Sequence, residues 1–140
     1  MERIELARLI ATGAHYGQVD KGGHPYIGHP AAVASLVETE DEKIVAWLHD
    51  VVEDTDVTCD DIHTLFGARI ANAVDAITHK KGEDRLLYLG RVKINPLARA
   101  VKIADLKHNS QLERIACREL TVKDYDRRDR YQREIKFLNA

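Results

Sequence analysis

The segment "TEDEKIVAWLHDVVEDT", residues 39–55, constrains the fold most. Ile44, Val45, Leu48, Val51 and Val52 return at three- and four-residue intervals, the spacing of one helix face. Thr39 followed by Glu42 supplies a capping-box start, so the spacing predicts a helix over 41–54. At about 100° per residue, His49, Asp50, Glu53 and Asp54 share the arc opposite those aliphatic residues. No lysine or arginine follows four residues later to pair with these acids. Three carboxylates near the negative end of a helix dipole repel one another and the dipole. A solvated acidic face and a cation site both account for the pattern, and this segment alone does not separate them.

The rest of the chain carries the same period. Residues 3–17 form an apolar stripe, and "QVDKGGHPYIGHP" then reads as a loop. Pro30 suits the first position of a helix running to about Val37. Thr58 with Asp61 starts a short helix ending at Gly67, residues 68–79 form another, and "HKKGED" is a turn. Helices are expected over 84–92, from Asn95-Pro96 to about 108, over 110–118 and over 123–138. No period-two alternation competes. The expected fold is all-α: one domain, residues 1–140, of irregularly crossed helices. The last helix carries Tyr125, Tyr131, Ile135 and Leu138 along one side. That stripe suits packing against the core, with a homo-oligomer contact as the alternative.

Composition narrows the function. The 21 basic and 23 acidic residues give a net charge of −2, which argues against nucleic acid as a partner. Cys59 and Cys117 lie far apart without CxxC spacing, so two reduced thiols in a cytoplasmic protein are expected. No run reaches membrane-spanning length and the N-terminal stretch is charged throughout, so neither a membrane partner nor a signal peptide is expected.

His49 beside Asp50 offers a divalent cation one nitrogen and one oxygen from a single element. Among the other histidines, His29 stands at a loop-to-helix junction directly before Pro30. His15, His24, His63, His79 and His108 are the alternatives, with His63 and His79 read as exposed and His15 as a supporting or core residue. In "AVKIADLKHNS", Asp105 sits in an otherwise apolar run, with Lys102 three residues before it and Asn109 one turn after. An ordinary Asp-Lys surface helix explains that stretch equally well.

His29, His49-Asp50 and Asp105 in this order resemble the HD-domain metal-dependent phosphohydrolases. The likeness extends further. "AHYGQVDKGGHPYIGHPAAVASLV", "AWLHDVVEDT", "FGARIANAVDAITHKK" and "ARAVKIADLKHNS" are similar, in order, to blocks of the RelA/SpoT-type alarmone hydrolase domain over about residues 6–115. The resemblance implies that His29, His49, Asp50 and Asp105 bind one divalent cation, manganese being the usual ion in that family. It implies catalysis by Glu53 and Asp54, and a substrate site that includes Lys21, Tyr26, Lys102 and Asn109. The implied reaction is removal of the 3′-pyrophosphate from guanosine 3′,5′-bis(diphosphate) by a stand-alone small hydrolase. With no synthetase domain in the sequence, no alarmone synthesis is expected.

The sequence departs from that pattern where the substrate is expected. Asp20 replaces an arginine that precedes the loop lysine in the family, and Leu112 stands where a threonine is expected. The alternatives are therefore another phosphorylated nucleotide, the 2′-phosphate of NADPH, or a nucleotide- and metal-binding module without turnover. Spacing does not separate Glu53 from Asp54 as the group that handles water; Glu53 lies one turn from His49.

Overall fold

The computed structural model describes residues 1–140. Nine α-helices follow one another: α1 (Arg3–Ala14), α2 (Gly28–Ser35), α3 (Glu40–Leu48), α4 (Val51–Asp54), α5 (Cys59–Phe66), α6 (Ala68–Ile77), α7 (Arg85–Ile94), α8 (Pro96–Asn109) and α9 (Val122–Asn139). A 3-10 turn, Leu112–Arg114, separates the last two. The only β pairing is an isolated antiparallel bridge between Val19 and Pro25, which closes the loop between α1 and α2. The all-α expectation is met.

Capping residues set the helix starts. Thr39 Oγ1 accepts from Glu42 N at 3.1 Å while Thr39 N donates to Glu42 Oε1 at 2.9 Å. Thr58 and Asp61 repeat that arrangement ahead of α5. Asn95 Oδ1 accepts from Ala98 N, and Pro96 opens α8 with its fixed φ.

One hydrophobic cluster draws buried residues from α1 to α9. At its centre α3 packs against α1, α2, α6 and α8, and α8 packs against α2, α3, α6, α7 and α9. Ile44, Val45 and Leu48 of α3 and Val101, Ala104 and Leu106 of α8 are buried there. The apolar side of α9 contributes Leu138, with Tyr131 and Ile135 packed against the cluster. Burying that stripe is what holds a helix so rich in charge against the core.

Beyond shifts of a few residues at helix ends, three departures from the sequence reading shape the site. The helix expected over 41–54 breaks at His49-Asp50 into α3 and α4. His49 Nδ1 donates to Ala46 O at 2.6 Å, taking the carbonyl that a continuous helix would offer to the Asp50 N–H. Asp50 takes φ −106° and ψ −3°, between the helical and extended regions. The helix expected over 110–118 is only the 3-10 turn 112–114. Helix α2 begins at Gly28, so Pro30 lies inside its first turn, where its missing N–H costs nothing.

Candidate metal centre and adjoining pocket

Four side chains from three mutually packed helices converge: His29 from the first turn of α2, His49 and Asp50 from the break after α3, and Asp105 from α8. One ligand atom from each lies within 4.8 Å of all the others. Donor atoms on one cation at about 2.0–2.6 Å stand at most roughly 4–5 Å apart, so the cluster has the right size. His29 Nε2 is 2.7 Å from Asp105 Oδ1 and 3.7 Å from Asp50 Oδ2. His49 Nε2 is 3.1 Å from Asp50 Oδ2 and 3.4 Å from Asp105 Oδ1.

The His49 ring decides what the cluster suits. Its Nδ1 must carry a proton, because its partner is a carbonyl oxygen. Its Nε2 is fully buried, faces two carboxylates and makes no well-directed hydrogen bond. A buried nitrogen without a partner costs stability unless something binds it. The donor set of two imidazole nitrogens and two carboxylate oxygens suits a borderline divalent cation.

Charge follows the same logic. Burial alone would depress the His49 pKa, but the charges of Asp50 and Asp105 outweigh it and hold the imidazole well above its usual range. Burial would raise the Asp50 and Asp105 carboxyls. His49 instead pulls Asp50 below the usual carboxylate range, and Lys102 with the two histidines pulls Asp105 well below it. Without a cation, a proton on His49 supplies part of the compensating charge.

A surrounding layer of side chains holds the ligands. The Tyr26 hydroxyl donates to Asp50 Oδ2. Lys102 Nζ donates to Asp105 Oδ2 at 2.7 Å, and Asn109 Nδ2 donates to Asp105 Oδ1 at 3.0 Å. His29 Nδ1 lies 2.8 Å from His108 Nδ1. Lys102 is largely covered and lies against Asp105, with its ammonium 5.5 Å from the Tyr88 ring centre, and does not line the pocket.

A cavity of about 290 Å³ opens beside the cluster. Its lining includes His29, Tyr26 and Asn109 together with Asp20, Lys21 and Arg114. Lys21 is exposed. Glu53 and Asp54 lie on α4, one turn past His49, and are exposed. Burial and then the Asp50 charge raise the pKa of both carboxyls. Gln18 Nε2 donates to Asp54 Oδ2 at 3.4 Å, whereas Glu53 has no such side-chain partner.

The other histidines divide as follows. His24 and His63 are exposed and His79 is half-buried, all away from the cluster. His15 is buried, with Nδ1 2.9 Å from Gln18 Oε1. The sequence offers His108 only as an alternative ligand and gives no sign of Arg114, yet the structure puts both in contact with the candidate site. His108 touches His29, and Arg114 touches both Asn109 and Asp20. His108 directly precedes Asn109, but nothing in the sequence joins Arg114 to Asp20 across 94 positions.

Residues 7–115 match the HD-domain family. The chain belongs to that family. The matched span of this HD domain contains all four members of the cluster. Among curated relatives, the bifunctional (p)ppGpp synthase/hydrolase SpoT of Escherichia coli strain K12 is 39% identical over 82 residues, covering 56% of this chain and 12% of SpoT. A probable guanosine-3′,5′-bis(diphosphate) 3′-pyrophosphohydrolase of Synechocystis is 37% identical over 119 residues, covering 74% of this chain and 16% of the relative. The chain thus spans a small part of the curated relatives' length. A solved metazoan ortholog of SpoT, a protein that hydrolyses ppGpp, superposes with a TM-score of 0.79 at 23% identity, over 99% of this chain and 85% of its own. That likeness supports the all-α HD fold. No helix is long and apolar enough to cross a membrane.

Proposed function

We propose that residues 1–140 act as one metal-dependent phosphohydrolase domain, and that its substrate is guanosine 3′,5′-bis(diphosphate), cleaved at the 3′-pyrophosphate. The observation that carries the reading is the buried Nε2 of His49, which makes no well-directed hydrogen bond and faces Asp50 and Asp105 beside His29. The named activities of the bacterial relatives supply the substrate class. In this reading His29, His49, Asp50 and Asp105 hold one divalent cation, with manganese the first to test. Two free cysteines suit action in a reducing, cytoplasmic compartment.

A cation bound there supplies Lewis acidity, polarising a phosphoryl oxygen and lowering the pKa of water. The protein's residues do the rest. Glu53 accepts the proton of the attacking water, since its raised pKa makes it a stronger base than a free carboxylate. Asp54, tied to Gln18, supports it with negative charge. The water oxygen bonds to phosphorus as the bond from phosphorus to the ribose 3′-oxygen breaks; that oxygen takes a proton from solvent and leaves as the 3′-hydroxyl, and pyrophosphate is released. Tyr26 and Lys102 hold Asp50 and Asp105 in place, while Lys21 in the pocket lining meets phosphate charge and Asn109 faces the nucleotide.

The acidic Asp20 in the pocket wall favours a second reading, in which the same chemistry acts on another phosphorylated nucleotide such as NADPH at its 2′-phosphate. Purified protein with Mn²⁺ should release pyrophosphate from guanosine tetraphosphate, and Asp50→Ala should abolish both release and metal content. Metal-loaded protein that leaves this substrate intact but hydrolyses another member of a nucleotide panel would replace the first reading with the second. Metal-loaded protein that binds nucleotides and turns over none would make the chain a binding module.

A further inference from the structure

Asp20 looks like a substrate contact of the wrong charge, but its carboxylate is engaged within the protein. Oδ1 accepts from Gly22 N and His24 N, both at 2.9 Å, which folds the loop on itself. Oδ2 accepts from Arg114 Nη2 at 3.3 Å. The loop and the 3-10 turn are in close contact at this point, since a Cβ on Gly22 would sit 2.1 Å from Arg114 O. Arg114 is thereby fixed in backbone and side chain, and its side chain is 22% exposed.

The other end of that guanidinium points inward. Nη1 donates to Asn109 Oδ1 at 2.9 Å and to His108 O at 3.3 Å. Asn109 in turn donates through Nδ2 to Asp105 Oδ1. Each link in the series from Arg114 to Asn109 to Asp105 runs donor to acceptor in one direction, so each polarises the next. With its oxygen held by Arg114, Asn109 must present its NH₂ to Asp105.

We propose that Arg114 is a positioning residue for the metal centre, anchored by Asp20 and acting on Asp105 through the Asn109 amide. The inference rests on the metal reading above. The acid at position 20 serves to hold an arginine supplied from the far side of the pocket. The rival view is that Arg114 merely fastens the turn to the loop, in which case it contributes to stability and leaves the centre untouched.

The test is Mn²⁺ binding alone, by titration calorimetry, on wild type, Arg114→Met, Asn109→Ala and the double variant, with thermal midpoints of the metal-free proteins. Arg114→Met should weaken Mn²⁺ binding by about tenfold, the lower end of the range for residues that orient ligands. The double variant should bind no more weakly than Asn109→Ala, because both changes break one series. Arg114→Lys keeps the charge beside Asp20 but lacks the fork that reaches two acceptors. It should hold a midpoint near wild type and still bind Mn²⁺ more weakly, and it serves where Arg114→Met does not fold. Wild-type Mn²⁺ affinity in both Arg114 variants, or additive losses in the double variant, overturns the proposal while leaving the metal reading intact. A wild-type protein that binds no divalent cation removes both, and that outcome is distinct from the first.

Discussion

His29 Nδ1 stands 2.8 Å from His108 Nδ1, with the two rings stacked at 22°. One nitrogen must donate and the other accept. Burial and then the positive charge of Arg114 push the His108 pKa down to about 4, so His108 is neutral at pH 7 and able to accept. With His29 Nε2 turned to the metal centre, the shared proton belongs to His29 Nδ1. His108 then fixes the tautomer that leaves Nε2 free to ligate. Replacing His108 with Phe removes the acceptor while keeping a flat ring. Mn²⁺ affinity should fall about 10- to 100-fold in a calorimetric titration. Undiminished binding would show that His29 finds its tautomer without help.

The family resemblance implies one substrate site for Lys102 and Lys21, and the structure separates them. Lys102 is largely covered and paired with Asp105, whereas Lys21 is exposed and lines the pocket. Lys102→Met leaves the Asp105 carboxylate less compensated, and it should destabilise the metal-free protein by about 3–5 kcal/mol in denaturant unfolding. The same loss of positive charge makes the cluster more attractive to a cation. Saturating Mn²⁺ should therefore raise the midpoint of Lys102→Met more than that of wild type. Lys21→Met should change stability by no more than about 0.5 kcal/mol. Its effect should be a raised KM for nucleotide.

Protonation of His49 sets a pH dependence with a definite sign. Its folded pKa lies well above the ordinary value, because Asp50 and Asp105 outweigh the effect of burial. The stability this gives the metal-free protein is complete below pH of about 6.5 and is lost as pH rises through the folded pKa. A cation on Nε2 must displace that proton. Mn²⁺ affinity should keep climbing above pH 6.5, and binding should release close to one proton per ion. Calorimetry in buffers of different ionisation enthalpy reads that number. Affinity flat between pH 6.5 and 8 would mean His49 does not ligate.

The pattern of apolar spacing, capping boxes and Asn95-Pro96 made most helices legible, because each signal is local. The break at His49-Asp50 was not, since it depends on one imidazole taking the Ala46 carbonyl. A mean 100° spacing carries no trace of such a bond. The stretch after Asn109 misled for the opposite reason: its residues tolerate a helix, but the chain there turns to bring Arg114 to Asp20 and Ile115 to the pocket wall. The four members of the cluster were legible through resemblance, with their spacing alone leaving a surface helix as an equal account. Their neighbours were not, because contacts across 79 and 94 positions are made by the fold.

Gly22 and Gly23 separate contact from conformation within one loop. Gly23 has φ +81° and open space around its Cα, so Ala there meets no atom but sits in a left-handed backbone. Gly23→Ala should cost about 1–2 kcal/mol and leave Arg114 in place. Gly22 has no positive φ, and its constraint is the Arg114 carbonyl, 2.1 Å from where a Cβ would stand. Backbone must therefore move if Gly22 becomes Ala, at a cost of about 1–3 kcal/mol. The movement pushes the 112–114 turn from the loop and carries the Arg114 guanidinium off Asn109. Unfolding midpoints of the two variants should thus be similar, while Mn²⁺ affinity falls in Gly22→Ala and holds in Gly23→Ala. Equal Mn²⁺ affinity in the two would mean that the docking of loop on turn shapes the pocket without reaching Asp105.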